Sequence, residues 1–491
     1  MQGMVIPLQR VYLLELKPVF KLTMKNMHNN SGICLVSVLI TLTGLSLTGC
    51  KKDFLDAKPS TNIMQPVTLD HFESLLEGDN FTYSTSALPI LSADEYTYID
   101  YPTWQSASTA TERNAYIWAP DLFAGESNIQ DWARPYAAIF YANNVISGLE
   151  KIEVTSDNVA KWNSLKGWAL FERAYHFYDL TRNFCKVYNP STSATDLGIP
   201  LKLRPRIDEI VQRSTLQQTY EQILKDLNSA RVLLGTSIPT DNKNKPSAVS
   251  SYALQARIFL SMGAYPEAQM AADSCLRLYD KLIDYQRLST IATYPFEKTN
   301  AETLFTTATV STYPSCTGIL NNFISINKEL ISLYDVNDLR LNIFFKSNPN
   351  GYIMGGNYFG QSIFPYTGLA TDEVYLIKAE CEARRGNTAE SLSILNTLLI
   401  KRYPSSSFSP LTATTPKQAL DLVLLERRKE LVWRGLRWDD IKRLNKEGAG
   451  IILTRVLNGV PTNLFPDDPR YVFPIPSDEV ALSGIKQNQR W

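Results

Sequence analysis

Cys50 is the residue whose chemistry the sequence specifies most sharply. It closes the string Leu47-Thr48-Gly49-Cys50, in which small residues let a peptidase cut directly before a thiol. Ahead of it stand a basic start, Met24-Lys25-Asn26-Met27-His28, and an apolar run from Ile33 to Leu47. That run falls short of the about 20 apolar residues a membrane span needs, so it reads as the apolar core of a secretory signal. A thiol and a new amino group freed at such a cut can both be acylated. Each CH₂ buried in lipid contributes about 0.8 kcal/mol, so two or three chains hold far more firmly than one. Residues 1–49 are therefore expected to be a signal peptide. Residues 1–23 read as an over-extended start, with Met24 or Met27 the initiator, and 50–60 as a polar, Pro-containing tether.

The rest of the chain is poor in catalytic material. Beyond residue 49 it has two histidines, His71 and His176, too few for a His-based metal site or a Ser-His-Asp triad. Cys185, Cys275, Cys316 and Cys381 are far apart, form no C-x-x-C, and mostly sit in helical patterns where buried free thiols are common. No phosphate-binding loop, nucleophile elbow or H-E-x-x-H is present. Asp335-Val336-Asn337-Asp338-Leu339-Arg340 begins like a calcium loop but fails at its fifth and sixth positions, and reads as a charge cluster at a helix end. The pairs Asp439-Asp440 and Asp467-Asp468 do not by adjacency make a glycosidase, whose carboxyls stand about 5 to 9.5 Å apart across a cleft. The run Glu426-Arg427-Arg428-Lys429-Glu430, followed by Trp433 and Trp438, is expected to be a helix with i,i+4 charge pairs and a packed Trp-rich end. The competing reading is a ligand site with Trp platforms and Arg clamps.

Lys plus Arg and Asp plus Glu each number 49. Removing residues 1–49 takes away four bases and Glu15, which leaves a slight acidic excess and no basic field for nucleic acid. The length permits a large core. Helical periodicity is strongest along Leu216-Tyr220-Ile223-Leu227-Ala230-Leu234, which Ser214 or Thr215 can cap, and recurs over 129–149 and 157–183. Two helical hairpins are expected, one turning at Gly263-Ala264-Tyr265-Pro266 and one at Gly386. Small residues, a Gly turn, then Ala and Leu at three-to-four spacing resemble tetratricopeptide units, which must stack to bury their apolar faces. Between the helices lie two irregular stretches. Residues 80–128 hold Tyr83, Tyr96, Tyr98, Tyr101, Trp104, Tyr116 and Trp118. Residues 285–370 hold Tyr294, Tyr313, Tyr352, Tyr358 and Tyr366 among Gly and Pro. Long irregular loops in a compact body are often functional. The tail Val472-Phe473-Pro474-Ile475-Pro476 reads as an extended, packed segment.

At this point the residues resemble a family. Leu47-Thr48-Gly49-Cys50 is similar to the bacterial lipobox. Further strings follow in order: Trp132-x-x-x-Tyr136-x-x-Ile139 with Asn143-Asn144, Arg173-Ala174-Tyr175-x-Phe177-Tyr178-Asp179-Leu180, Arg213-Ser214-Thr215, Tyr220-x-x-Ile223-x-x-Asp226-Leu227 and Ala256-Arg257. Later come Tyr334-Asp335-x-x-Asp338-Leu339-Arg340, Glu373-Val374-Tyr375-Leu376-Ile377-x-Ala379-Glu380, Glu426-Arg427-Arg428-x-Glu430-Leu431, Gly435-x-Arg437-Trp438-x-Asp440, Phe473-Pro474-Ile475-Pro476 and Gln487-Asn488. Taken together the chain resembles the SusD/RagB outer-membrane nutrient-binding lipoproteins. The resemblance implies a mainly α fold of about four tetratricopeptide-like hairpin repeats, mainly in 129–280 and 371–445. It also implies a large irregular ligand-binding region, 80–128 with 285–370, in one body over 61–491.

The resemblance further implies no catalysis and a SusC-like TonB-dependent transporter as partner. The lipid anchor would sit at Cys50 on the outer membrane, on the extracellular face, and the ligand would be an oligosaccharide or a peptide. No cofactor is implied, with a calcium ion in a loop left open. Sugars present apolar C–H faces on which aromatic rings stack, while polar neighbours bond the hydroxyls. The candidate ligand residues are Tyr96, Tyr98, Tyr101 and Trp104 from the first irregular stretch, with Tyr313 and Tyr352 from the second. A lipid-anchored helical-repeat scaffold for protein, and a glycan-cleaving enzyme, are the competing readings.

Overall fold

In the computed structural model the described residues are 66–78, 83–356, 358, 360 and 362–490, and those from Pro66 onward form one unit. The signal, Cys50 and the tether lie outside the described residues. Ten helices form the frame: α1 (Leu69–Glu77), α2 (Gln130–Leu149), α3 (Val159–Phe184), α4 (Leu216–Leu233), α5 (Ala248–Met262), α6 (Tyr265–Leu278), α7 (Thr371–Arg384), α8 (Thr388–Leu399), α9 (Pro416–Glu430) and α10 (Arg437–Lys446). The fold is mainly helical with a few small sheets, and its helices follow a tetratricopeptide-like pattern.

Local chemistry sets the helix ends. Thr215 caps α4 in a capping box with Gln218. Gly263, at φ 76°, closes α5, and Pro266 lies in the first turn of α6. Gly386, at φ 89°, separates α7 from α8. Helix α2 packs on α3, α3 on α4, α4 on α5 and α5 on α6. The stack continues from α6 to α7, which carries α8 and α9. Three pairs are close hairpins: α2–α3, α5–α6 and α7–α8. The fourth, α9–α10, opens out, because α10 swings over to α5 and the short helix Leu88–Ser92. Helix α3 is buried without interruption from Gly167 to Phe184, as a helix at the middle of a stack must be. Its charges are neutralised in place: Arg173 meets Asp226 of α4 at 2.8 Å, and Arg182 meets Asp439 of α10 at 2.7 Å.

The irregular stretches are joined by ladders too short to stand alone. Ser84–Thr85 pairs with Ala308–Thr309, Tyr96–Tyr98 pairs antiparallel with Ile324–Ile326, and Thr303–Phe305 pairs with Leu369–Ala370. What fixes them to the stack is buried charge. Arg340 bonds Asp338 at 2.7 Å, Glu426 at 2.6 Å and Glu430 at 2.9 Å. Arg402 bonds Glu430 at 2.8 Å and Glu302 at 2.7 Å. Along α7, Asp372 takes Arg434, Glu373 takes Arg257 and Glu380 takes Arg443. The charged run on α9 therefore does not form the expected ladder of i,i+4 pairs on one helix surface. Glu426 and Glu430 are buried and turn to arginines from other elements, and Arg427 reaches Asp440 on α10. The Asp335 cluster likewise spends Asp338 on Arg340 and Lys429. Among the described residues, Cys185, Cys275, Cys316 and Cys381 are buried and free.

The tail packs as an extended segment. Gln487 bonds both backbone groups of Ile475, at 2.8 and 2.7 Å, and Asn488 bonds the carbonyls of Phe184 and Phe473. The ring of Phe473 stacks on Trp438.

Two predictions follow from the charges. Glu430→Gln strips a carboxylate from two buried arginines and should cost about 3–5 kcal/mol of unfolding free energy in denaturant titration. Removing the exposed Lys417–Asp421 pair with Lys417→Met should cost less than about 1 kcal/mol. Glu95 carries the second prediction. Burial, reinforced by the neighbouring Asp94 carboxylate, pushes its carboxyl up to about 7. One oxygen accepts the backbone N–H of Trp433 at 3.1 Å, and the other has no partner. The folded state thus holds a proton that the unfolded chain releases near pH 4.5. Stability from this group is present below about pH 4.5 and is lost as pH rises to about 7, on the order of 3 kcal/mol in all. Glu95→Gln should remove that loss, seen as a flatter melting-temperature profile between pH 4.5 and 8.

Candidate functional site

The strand Tyr96–Tyr98 sets the site's geometry by alternation. Tyr96 and Tyr98 point to one side of the ladder, and that side is the core. Tyr96 donates its hydroxyl to Leu91 O at 2.9 Å, and the Tyr98 hydroxyl lies 2.7 Å from Cys316 Sγ. Their rings close a box with Tyr116, and the Arg455 guanidinium lies over Tyr96, Tyr116 and Trp118. Burial pushes the Tyr98 phenol well above its ordinary range. Tyr313 is buried as well and donates to Asp131 at 2.7 Å. The other oxygen of Asp131 accepts Ser86 and the backbone N–H of Ala87 and Leu88. Tyr96, Tyr98 and Tyr313 are thus expected platforms that the structure makes into core. Their hydroxyls find partners inside, and no ring face is left for a ligand.

Tyr101 and Trp104 are placed differently. They lie on the five-residue helix Tyr101–Gln105, three positions apart and so on one face. Asp100 caps that helix through Thr103 N at 2.8 Å, and Pro102 fixes its first turn. The two rings stack with centroids 5.3 Å apart and planes 30° apart. Tyr101 is exposed. Trp104 is half-buried, and its indole N–H donates to Arg113 O at 3.1 Å.

Beside this helix runs the segment 315–323, joined to it at both ends. Ile99 N–H donates to Phe323 O at 3.3 Å, and the hydroxyls of Ser108 and Ser315 meet at 3.1 Å. The segment adds exposed Leu320 and Phe323, the latter 44% exposed, and the amides of Asn321 and Asn322. Tyr352 is half-buried on the far side of the strand Ile324–Ile326, where its carbonyl accepts Ser325 Oγ. The structure therefore stacks Tyr101 on Trp104, sets Phe323 across from Ile99, two residues before that helix, and leaves Tyr352 one strand away. Phe323 escapes a search restricted to Tyr and Trp. Its signal is the polar pair Asn321-Asn322 just ahead of it.

The same chain segment, at 306–312, lines a chamber of about 260 Å³ with Gln130, Asn244 and Lys298. The buried hydroxyls of Thr306 and Thr309 have no hydrogen-bond partner there. Stacking rings with hydroxyls and amides nearby can hold a polyhydroxylated ligand. Among the described residues no group of three or more His, Cys, Asp or Glu is arranged to hold a metal ion.

Comparison with known proteins bears on the family and the fold. A family model described as starch-binding and associating with the outer membrane matches residues 53–260, and the SusD family model matches 369–491. No curated protein matches in sequence. Among solved structures, a putative sugar binding protein from Bacteroides vulgatus has TM-score 0.70 at 23% identity, covering 87% of this chain and 99% of that one. A SusD superfamily protein from the same species has 0.68 at 24%, covering 86% and 98%. Another from Bacteroides thetaiotaomicron has 0.68 at 22%, covering 86% and 100%. With the two family models taken together and the helical stack they share, this chain belongs to the SusD/RagB family.

Proposed function

We propose that this protein captures oligosaccharide on the Tyr101–Trp104–Phe323 face and delivers it to a SusC-like TonB-dependent transporter, while a lipid on Cys50 holds it at the outer face of the outer membrane. The exposed Tyr101 ring, stacked on half-buried Trp104, carries the reading. The outer face of the stacked pair matches the apolar face of a sugar ring, and the exposed amides of Asn322 and Gln105 can serve its hydroxyls. The family's association with starch binding and the outer membrane supports the same reading.

The site is tested by calorimetry of the detergent-solubilised chain against neutral oligosaccharides. Trp104→Ala should weaken the best ligand by about tenfold or more, and Phe323→Ala by a smaller factor, with melting temperatures little changed. Binding to a peptide panel with no response to any sugar would replace glycan by peptide. Release of shortened sugars by the purified protein would replace capture by cleavage. The anchor is tested separately. Cys50→Ser should abolish incorporation of labelled fatty acid and move the protein out of the membrane fraction. Retention of label in that variant sinks the anchor assignment.

A further inference from the structure

A second cleft lies at the other end of the chain, where the C-terminus of α3, helix α10 and the tail meet. It encloses about 610 Å³, roughly twenty times the share of one water molecule at about 30 Å³. Lys442 and Lys446 line it, one turn apart on α10. Each ammonium donates to a single carbonyl, Lys442 to Arg182 O at 2.6 Å and Lys446 to Tyr188 O. Neither has a carboxylate partner among the described residues. Lys442 is only 7% exposed, so two of its three donors are withheld from bulk water.

The carboxylates nearby are mostly committed. Asp439, which acts on Lys442, takes Arg182 at 2.7 Å, and Glu447, which acts on Lys446, takes Arg384 at 2.9 Å. Asp196 takes Lys186 at 2.9 Å and Asp468 takes Arg470 at 2.7 Å, and exposed Asp467 stands against Lys442, Lys446 and Lys486. The remaining wall is a ring. Tyr471 is 5% exposed and packs on Trp438 at 4.8 Å. Its hydroxyl lies beside the Asn445 amide, whose oxygen accepts Ile451 N–H and whose nitrogen donates one proton to Ile451 O, leaving its second proton for the phenol.

From this we infer that the cleft is a second ligand site, for a carboxylate-bearing oligosaccharide such as a uronic-acid chain. A ligand carboxylate would supply the acceptors that Lys442 and Lys446 lack, and charge-assisted bonds of this kind are the strong ones. The room exceeds what an inorganic anion fills. Burial lowers both ammonium pKa values, and a bound anion would relieve that strain. The site is separate from the aromatic face and does not depend on it.

The test is calorimetry of the detergent-solubilised full chain with trigalacturonate, its fully methyl-esterified form and inorganic phosphate. The acid should bind and the ester should bind at least about tenfold more weakly, as expected for loss of a charged hydrogen-bonding partner. Lys446→Met, at a more exposed position, should lose about tenfold with an unchanged melting temperature, and Lys442→Met at least as much. If Lys442→Met fails to fold, Lys446→Met decides. Equal affinity for acid and ester, absence of binding, or unaltered affinity in Lys446→Met overturns the proposal. Phosphate binding as tightly as the trisaccharide overturns it too, by making the cleft a free-anion pocket. The neutral panel reads the aromatic face and the acid–ester pair reads this cleft, so either assignment can fail alone.

Discussion

Buried guanidinium–carboxylate pairing is the constraint on which the rest of the molecule depends. The helices α7 and α9 present carboxylates inward. The arginines that answer them include Arg340 and Arg402 from outside the ten frame helices, Arg257 from α5 and Arg443 from α10. Taking such charges out of water is expensive, and apolar packing of equal volume would often hold as well. What apolar packing lacks is direction. A bidentate arginine admits one register, whereas two- and three-residue ladders such as Ser84–Thr85 and Tyr96–Tyr98 admit several. The irregular half of the protein is thus indexed to the regular half by charge.

The aromatic core follows from that indexing. The turn between α9 and α10 holds Trp433 at φ 62°, a backbone region in which a bulky side chain is an outlier. Such a conformation persists only where its surroundings over-determine it. Here Trp433 N–H is bonded to Glu95, its indole to Thr317 O, and the next residue, Arg434, to Asp372. Asp94, one position before Glu95, is pushed up by burial, but Arg437 and Arg428 outweigh this and hold it down to about 2. Asp94 and Glu95 immediately precede the strand that aims Tyr96 and Tyr98 inward. The outward rings begin three residues after that strand ends.

The helices were legible because their periodicity is local. Leu216 to Leu234, the glycine turns at 263 and 386, and the packed tail all appear where spacing and turn chemistry put them. Several of the strings that carried the family resemblance contain the partners of buried ion pairs: Arg173 with Asp226, Arg257 with Glu373, Arg340 with Glu426 and Glu430, Arg427 with Asp440. Their partnering was illegible, because a pairing across many residues leaves no periodic trace. The i,i+4 reading of 426–430 failed for that reason. The ring assignments divided on the same ground. Tyr98 and Tyr101 sit in the same polar composition, and only strand pairing, a long-range fact, sends one to the core and leaves the other at the surface.

The short helix Tyr101–Gln105 is held by atoms other than those it displays. Its cap is Asp100, one end is tied by the backbone of Ile99 and Phe323, and the other by Ser108 and Ser315. The displayed side chains of Tyr101 and Phe323 make few of these bonds. Support and display are therefore separable, so descendants of this sequence can exchange the displayed rings for other shapes without unsettling the scaffold beneath.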